Sequence, residues 1–245
     1  IYRAWLDWQV LVFRDQDIDR EQHKLFARKF GTLHVHPMQH SYGGDPEILK
    51  VKTTKDSAYT AGNAWHTDVT CDPIPPMASM LLVKEPPVNG GGDTMFANLY
   101  LAYETLSDPM KAMLDGRKAV NSSRKGDAAA GRQKSVDENP KDASDVQTES
   151  THPALRTHPE TGRKALYVNR GHTVCFEGAT PEESAPILEY LFEHQIRPEF
   201  TCRFQWAPGS IAIWDNRCAL HYPLHDYHGP RRVMHRVTME GDTPQ

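Results

Sequence analysis

Apolar residues come in short bursts along this chain, and the bursts alternate with turn-forming polar stretches. Residues 1–9 have helical spacing and read as the interior of a helix. Val10–Phe13 is a four-residue apolar run followed by polar 14–17, a strand and its turn. Asp19 with Gln22 forms a capping box; it opens a helix with Phe26 and Phe30 on one face and Gly31 as its C-cap. Segments 47–51 and 77–84 read as strands, the second stopped by Pro86-Pro87 and the Gly90-Gly91-Gly92 turn. Segments 99–106 and 109–114 read as helices, and 165–169 as a short strand. Thr180-Pro181-Glu182-Glu183 supplies N-cap, N1 and N3 of a helix running to about Ile196. Three strands follow, 200–206, 210–214 and 231–239, separated by Pro208-Gly209 and Gly229-Pro230. The elements do not alternate β-α-β. They predict a mainly β fold, a sandwich or barrel core with flanking helices.

Composition adds limits. The 245 residues suffice for one large core, and the whole chain, 1–245, reads as a single domain. Residues 121–151 are polar and form a loop or lid excursion from it. The net charge of −4 offers no basic excess, so neither nucleic acid nor an anionic membrane is an expected partner. No apolar run is long enough for a membrane helix. The four cysteines show no C-x-x-C spacing and read as reduced thiols of a cytoplasmic protein, with Cys175, Cys202 and Cys218 as buried small side chains. Ile1 opens inside a helical pattern, so the N-terminus is expected to be truncated.

Candidate chemistry begins at Trp65-His66-Thr67-Asp68. An H-x-D triplet arises about once by chance in a chain with 13 histidines. In extended backbone, however, positions i and i+2 share a face, which sets the His66 imidazole beside the Asp68 carboxylate. One more histidine makes a 2-His-1-carboxylate set with open metal positions. The C-terminal region offers four. His221 follows an apolar strand and a polar turn, at the mouth of a barrel. His225 and His228 read as solvated loop residues, and His235 lies within the last strand. That strand sets Arg232, Met234, Arg236 and Thr238 on one face and Val233, His235, Val237 and Met239 on the other. Two arginines directed into an apolar barrel need anionic partners. Arg231 falls on the opposite face and reads as solvated. Trp206 and Trp214 read as core.

His66-Thr67-Asp68, then His221, then Arg232 resembles the H-x-D…H…R signature of Fe(II)/2-oxoglutarate-dependent dioxygenases. Segments 65–70, 91–96, 166–169 and 214–221, with 231–238, resemble the taurine dioxygenase branch, which includes alkylsulfatases and aryloxyalkanoate dioxygenases. The likeness runs from about Val10 to Pro244, leaving out 121–151. It implies a double-stranded β-helix (jelly-roll) core. It implies that His66, Asp68 and His221 are the catalytic ligands of Fe(II), and that Arg232 and Thr94 bind 2-oxoglutarate. It implies that Arg236 and His36 grip an anionic substrate. Gln39, Gly62 and His172 stand at the other substrate-binding positions, where they replace a tyrosine, an asparagine and a phenylalanine of the taurine enzyme. Those changes keep an anion site but alter the end that would read an amine. Asn63 resembles the alkylsulfatase pattern.

The reaction so implied uses O2 and 2-oxoglutarate to hydroxylate a small organic anion, releasing succinate and CO2. A sulfonate or alkyl sulfate leads, and an aryloxy or other carboxylic acid is the alternative. A non-catalytic jelly-roll binding protein and a zinc hydrolase are the readings from other classes. The first leaves an intact ligand set without use. The second leaves the arginines and Thr94 idle and lacks H-E-x-x-H. Relatives lead one to expect a homo-oligomer, dimer or tetramer.

Overall fold

The apolar bursts become the strands of two facing sheets. The computed structural model describes residues 1–35, 45–53, 64–88, 90–125, 148–227 and 231–245. The larger sheet runs β1 (Val10–Phe13), β12 (Ile211–Asp215), β4 (Ala78–Glu85), β14 (Arg232–Met239), β2 (Leu33–His34), with β3 (Leu49–Thr53) also paired to β14. The smaller runs β11 (Thr201–Phe204), β5 (Thr94–Asn98), β13 (Ala219–Pro223). Phe96 and Phe204 of the smaller sheet pack with Val83, Ala212, Trp214 and Met234 of the larger, and Trp206 joins them. This is the mainly β, jelly-roll core expected from the sequence, with Trp206 and Trp214 inside it.

Period-two alternation explains why the central strands are apolar on both faces. Ala212, Trp214, Val83 and Met234 point between the sheets. Met80, Leu82, Ile211, Ile213 and Val237 point outward and are covered by Trp5, Ala27 and Phe30. Those residues come from α1 (Tyr2–Trp8), α2 (Arg20–Ala27) and the turn after it. A second core joins α3 (Leu99–Glu104), α4 (Asp108–Leu114) and α5 (Pro181–Gln195) to β6 (Lys118–Ser122), β8 (Leu155–Thr157), β9 (Lys164–Leu166) and β10 (Thr173–Phe176). Strand β7 (Glu149–Pro153) pairs with β6.

Both capping boxes form, at Asp19 and at Thr180. Gly31 is not the C-cap of α2, which ends at Ala27 with Arg28 in that role. The N–H groups of Lys29 and Phe30 instead bond back three residues, to Phe26 and Ala27. This tight turn carries Phe30 against Trp5, with ring centroids 5.4 Å apart. The polar excursion is shorter than its composition suggests. Asn121 pairs with Ser150 and Ser122 with Glu149, so the ends of 121–151 belong to the β6–β7 hairpin. Its middle, 126–147, lies outside the described residues. Cys202 is exposed rather than buried, because β11 edges its sheet; Cys175 is half-buried and Cys218 buried. Among the described residues no helix is long and apolar enough to cross a membrane.

Candidate active site

Three segments meet where the chain runs back past β13. His66 and His221 form an isolated antiparallel bridge, each backbone N–H donating to the other's carbonyl at 3.1 and 2.9 Å. His221 therefore sits on a strand rather than beyond a turn, opposite Phe96 of β5. Asp68 follows two residues after His66. Its Oδ1 lies 3.8 Å from His66 Nε2 and 3.9 Å from His221 Nε2. Those separations are too long for hydrogen bonds. The three donor atoms instead face one another, all within 4.8 Å.

Electrostatics prepares each donor. His66 Nδ1 lies 2.7 Å from the Ala64 carbonyl, which places the proton there and leaves Nε2 with its lone pair. Burial holds His66 below the usual imidazole range. Burial, with the neighbouring His66, holds His221 well below it. For Asp68 burial acts the other way. The Arg236 charge, the two imidazoles and a hydrogen bond from Ser79 outweigh it and hold the carboxyl below its usual range. Two neutral imidazoles and one carboxylate suit Fe(II) and leave positions for other ligands. The backbone is fitted tightly here. Val69, next to Asp68, has φ 52°, unusual for a β-branched residue. A Cβ at Gly171 would lie 2.8 Å from His66 Cβ, so only glycine permits that approach.

The two arginines of β14 point into the same interior. Arg232 is buried, donates from Nη2 to the Gly92 carbonyl at 3.1 Å, and has no partner at Nε among the described residues. Among the described residues no carboxylate lies within ion-pair range of it. Gly92 has φ 70°, and a Cβ there would come within 3.1 Å of both Arg232 Nε and the Tyr227 ring. Asp226 holds the turn by accepting the Gly92 N–H at 2.7 Å, and Arg203 ties Asp226 to Asp93. Thr94, on β5, accepts from Trp206 Nε1 at 3.0 Å, so its own hydroxyl hydrogen is free to donate. Arg236 donates from Nη1 to Asp68 Oδ1 at 3.0 Å, and among the described residues its Nε has no partner. Arg231 is half-exposed and pairs with Glu85, as its outward position predicts.

His172 stands beside the centre, its ring 6.3 Å from that of His66. His36, Gln39, Asn63 and Gly62 lie outside the described residues, as does His228. His225 is not a solvated loop residue. It is half-buried with neither ring nitrogen bonded to a described residue, and burial with the nearby Arg232 charge holds its pKa low. Sequence reasoning missed Ser79, Asp226 and Gly171. The signal for Ser79 was a lone hydroxyl in the apolar run of β4. Asp226 and Gly171 become informative only through contacts distant in sequence.

A second group, His158, Asp215 and Cys218, also brings three donor atoms within 4.8 Å. Its carboxylate is already spent. Asp215 accepts from His158 Nε2, from two nitrogens of the Arg217 guanidinium and from the Arg217 backbone N–H. This is a structural ion network beneath β12.

The model of the taurine catabolism dioxygenase TauD, TfdA family matches residues 1–238. An alkylsulfatase of Acinetobacter baylyi is 35% identical over 249 residues, covering 99% of this chain and 76% of that protein. The alpha-ketoglutarate-dependent dioxygenase cnsM of Penicillium expansum is 34% identical, covering 96% and 68%. A putative alpha-ketoglutarate-dependent taurine dioxygenase from Burkholderia xenovorans superposes with a TM-score of 0.81 at 36% identity, covering 99% of this chain and 82% of that one. The chain belongs to the TauD/TfdA family of dioxygenases. It is a 2-oxoglutarate-dependent oxidoreductase whose chemistry uses Fe(II) and O2.

Proposed function

We propose that His66, Asp68 and His221 hold Fe(II), that Arg232 and Thr94 hold 2-oxoglutarate, and that Arg236 receives the anionic group of the substrate. The observation that carries this reading is a buried arginine, Arg232, without a carboxylate partner among the described residues, on the same strand face as a second one beside Asp68. Leaving a buried guanidinium unpaired is costly, and a dicarboxylate supplies what it lacks. Arg232 offers a fork to one carboxylate and Thr94 adds a neutral donor. Arg236 keeps one nitrogen on Asp68 and has the rest of its fork free, so an anion bound there lies next to the metal ligands. His172 walls the pocket on the His66 side, with His36, Gln39 and Gly62 as further substrate contacts.

Fe(II), when bound, supplies the redox chemistry that couples O2-driven decarboxylation of 2-oxoglutarate to insertion of oxygen into a substrate C–H bond. The protein's own part is binding, orientation and exclusion of water. The balanced outcome is substrate, 2-oxoglutarate and O2 going to hydroxylated substrate, succinate and CO2. Where the hydroxylated carbon carries a sulfate, sulfonate or aryloxy group, the product breaks down to a carbonyl compound and the free anion. An alkyl sulfate or sulfonate is the favoured substrate, and an aryloxy or other carboxylic acid the alternative. The likeness to an alkylsulfatase supports that order. The same reading expects a cytoplasmic homo-oligomer, dimer or tetramer, which sedimentation would test.

Succinate formation from 2-oxoglutarate, with Fe(II), ascorbate and air, tests the assignment. Taurine, longer alkanesulfonates, alkyl sulfates and aryloxyalkanoates form the panel. Strong stimulation by a sulfate or sulfonate is the expected result. Stimulation by aryloxyalkanoates alone moves the substrate to the alternative. Absence of succinate with iron bound removes the reading.

A further inference from the structure

One oxygen of Asp68 faces the two histidines, and the other is held from behind. Ser79 has no exposed surface and sits mid-sheet on β4, opposite Trp214 of β12 and Thr238 of β14. Its hydroxyl donates to Asp68 Oδ2 at 2.5 Å. Asn216 Nδ2 donates to Ser79 Oγ at 3.1 Å, and Trp214 Nε1 donates to Asn216 Oδ1 at 3.0 Å. Asn216 is itself fixed by its backbone N–H, which donates to the Met77 carbonyl at 2.8 Å. All four side chains of this chain of bonds are buried.

Its direction is forced. An indole N–H can only donate, so the atom of Asn216 facing Trp214 must be its oxygen. The amide nitrogen then faces Ser79 and donates to it. Ser79 Oγ has thereby accepted, and its single hydrogen goes to Asp68. A proton donor is thus delivered to Oδ2 by a row of groups with no alternative arrangement. Oδ1, which lies 3.8 and 3.9 Å from the two Nε2 atoms, receives no donor from this row; it accepts from Arg236 Nη1 at 3.0 Å, and a carboxylate oxygen has a second lone pair to offer.

We propose that Ser79 is a positioning residue for the metal centre. It engages Asp68 Oδ2 and so selects Oδ1 as the single oxygen presented to the metal, with Asn216 and Trp214 fixing the serine. The inference rests on the iron site proposed above. Hydrogen-bond partners of metal-binding carboxylates set ligand orientation, and their loss typically costs about 10- to 100-fold in metal affinity.

Co(II) serves as the probe, because its visible spectrum reports ligand number and its binding needs no turnover. Affinity is measured by calorimetry on wild type, Ser79→Ala and Ser79→Cys, each first shown to be folded by near-ultraviolet circular dichroism. Ser79→Cys keeps the side-chain shape, with a somewhat larger atom and a weaker donor, so it carries the test should the alanine variant fail to fold. The expected result is about 10- to 100-fold weaker Co(II) binding in Ser79→Ala. A smaller loss is expected in Ser79→Cys, and in both a changed visible band as Oδ2 becomes free to bind. Wild-type affinity and an unchanged band in a folded variant overturn the role of Ser79 while leaving the triad intact. Failure of wild type to bind Co(II) overturns the triad and, with it, this inference.

Discussion

Arg232 and Arg236 are four residues apart on one strand face, yet their surroundings differ. Arg236 shares Asp68 with the proposed metal, whereas Arg232, among the described residues, meets a backbone carbonyl and lies over the Tyr227 ring, with no carboxylate in range. The difference predicts separable defects. Arg232→Ala should raise the KM for 2-oxoglutarate at least about tenfold and leave the KM for the substrate nearly unchanged. A lost charge-assisted hydrogen bond is worth about 1.5–3 kcal/mol, which is a factor of about ten to a hundred. Arg236→Ala should show the reverse pattern. Steady-state succinate formation, with each reactant varied in turn, checks both, and an exchange of the two patterns would mean the roles are swapped. His172 and His225 are a second lesson at this scale. Both are histidines in polar sequence, yet one ends beside His66 and the other beside Arg232. The family resemblance set His172 at a substrate position, whereas local polarity gave no sign that His225 would be half-buried beside Arg232.

Among elements, the turn before β5 does the most for the site with the least sequence. Gly92 presses its backbone against Arg232 and Tyr227 with φ 70°, and the Asp226 carboxylate locks it there. Gly92→Ala should therefore destabilise the fold by more than about 1 kcal/mol and also raise the KM for 2-oxoglutarate. Thermal melts and kinetics measure the two effects, and a stability loss with unaltered KM would detach the turn from cosubstrate binding. The Gly90–Gly92 turn was legible in the sequence, but its contact with Arg232 was not. The same divide runs through the strands. Ile211–Asp215 and Arg232–Met239 announce themselves by apolar content because they lie inside the larger sheet, and Val10–Phe13 does so although it is that sheet's edge. Strands β6 and β7 are polar and ordered by pairing with each other, a non-local cause that composition cannot carry. β13 is the instructive case. Ala219–Pro223 looks like the tail of a turn, and only its register with β5 makes it a strand and aims His221 at Asp68. The candidate ligands were named from motif resemblance, while the element that orients one of them was not legible.

Across the whole molecule, the site joins parts that are otherwise held by separate contacts. His66 and Asp68 lie on a loop between β3 and β4, His221 on the smaller sheet, and Arg232 and Arg236 on the larger. The three donor atoms face one another at distances too long for mutual hydrogen bonds, and among the described residues Arg232 has no carboxylate within ion-pair range. A metal ion and a dicarboxylate would satisfy these two features. Anything that binds the native state alone stabilises it by mass action, about 2.7 kcal/mol at a hundredfold excess over Kd. Mn(II), which takes the same oxygen and nitrogen donors without turnover, should raise the melting temperature under anaerobic conditions. Adding 2-oxoglutarate should raise it again. Asp68→Ala should abolish the metal-dependent part, and Arg232→Ala should abolish only the second increment. The ordering is the informative part. A 2-oxoglutarate shift that survives in Asp68→Ala would mean the arginine site fills independently of the metal, and the two halves of the site would then be separate rather than one.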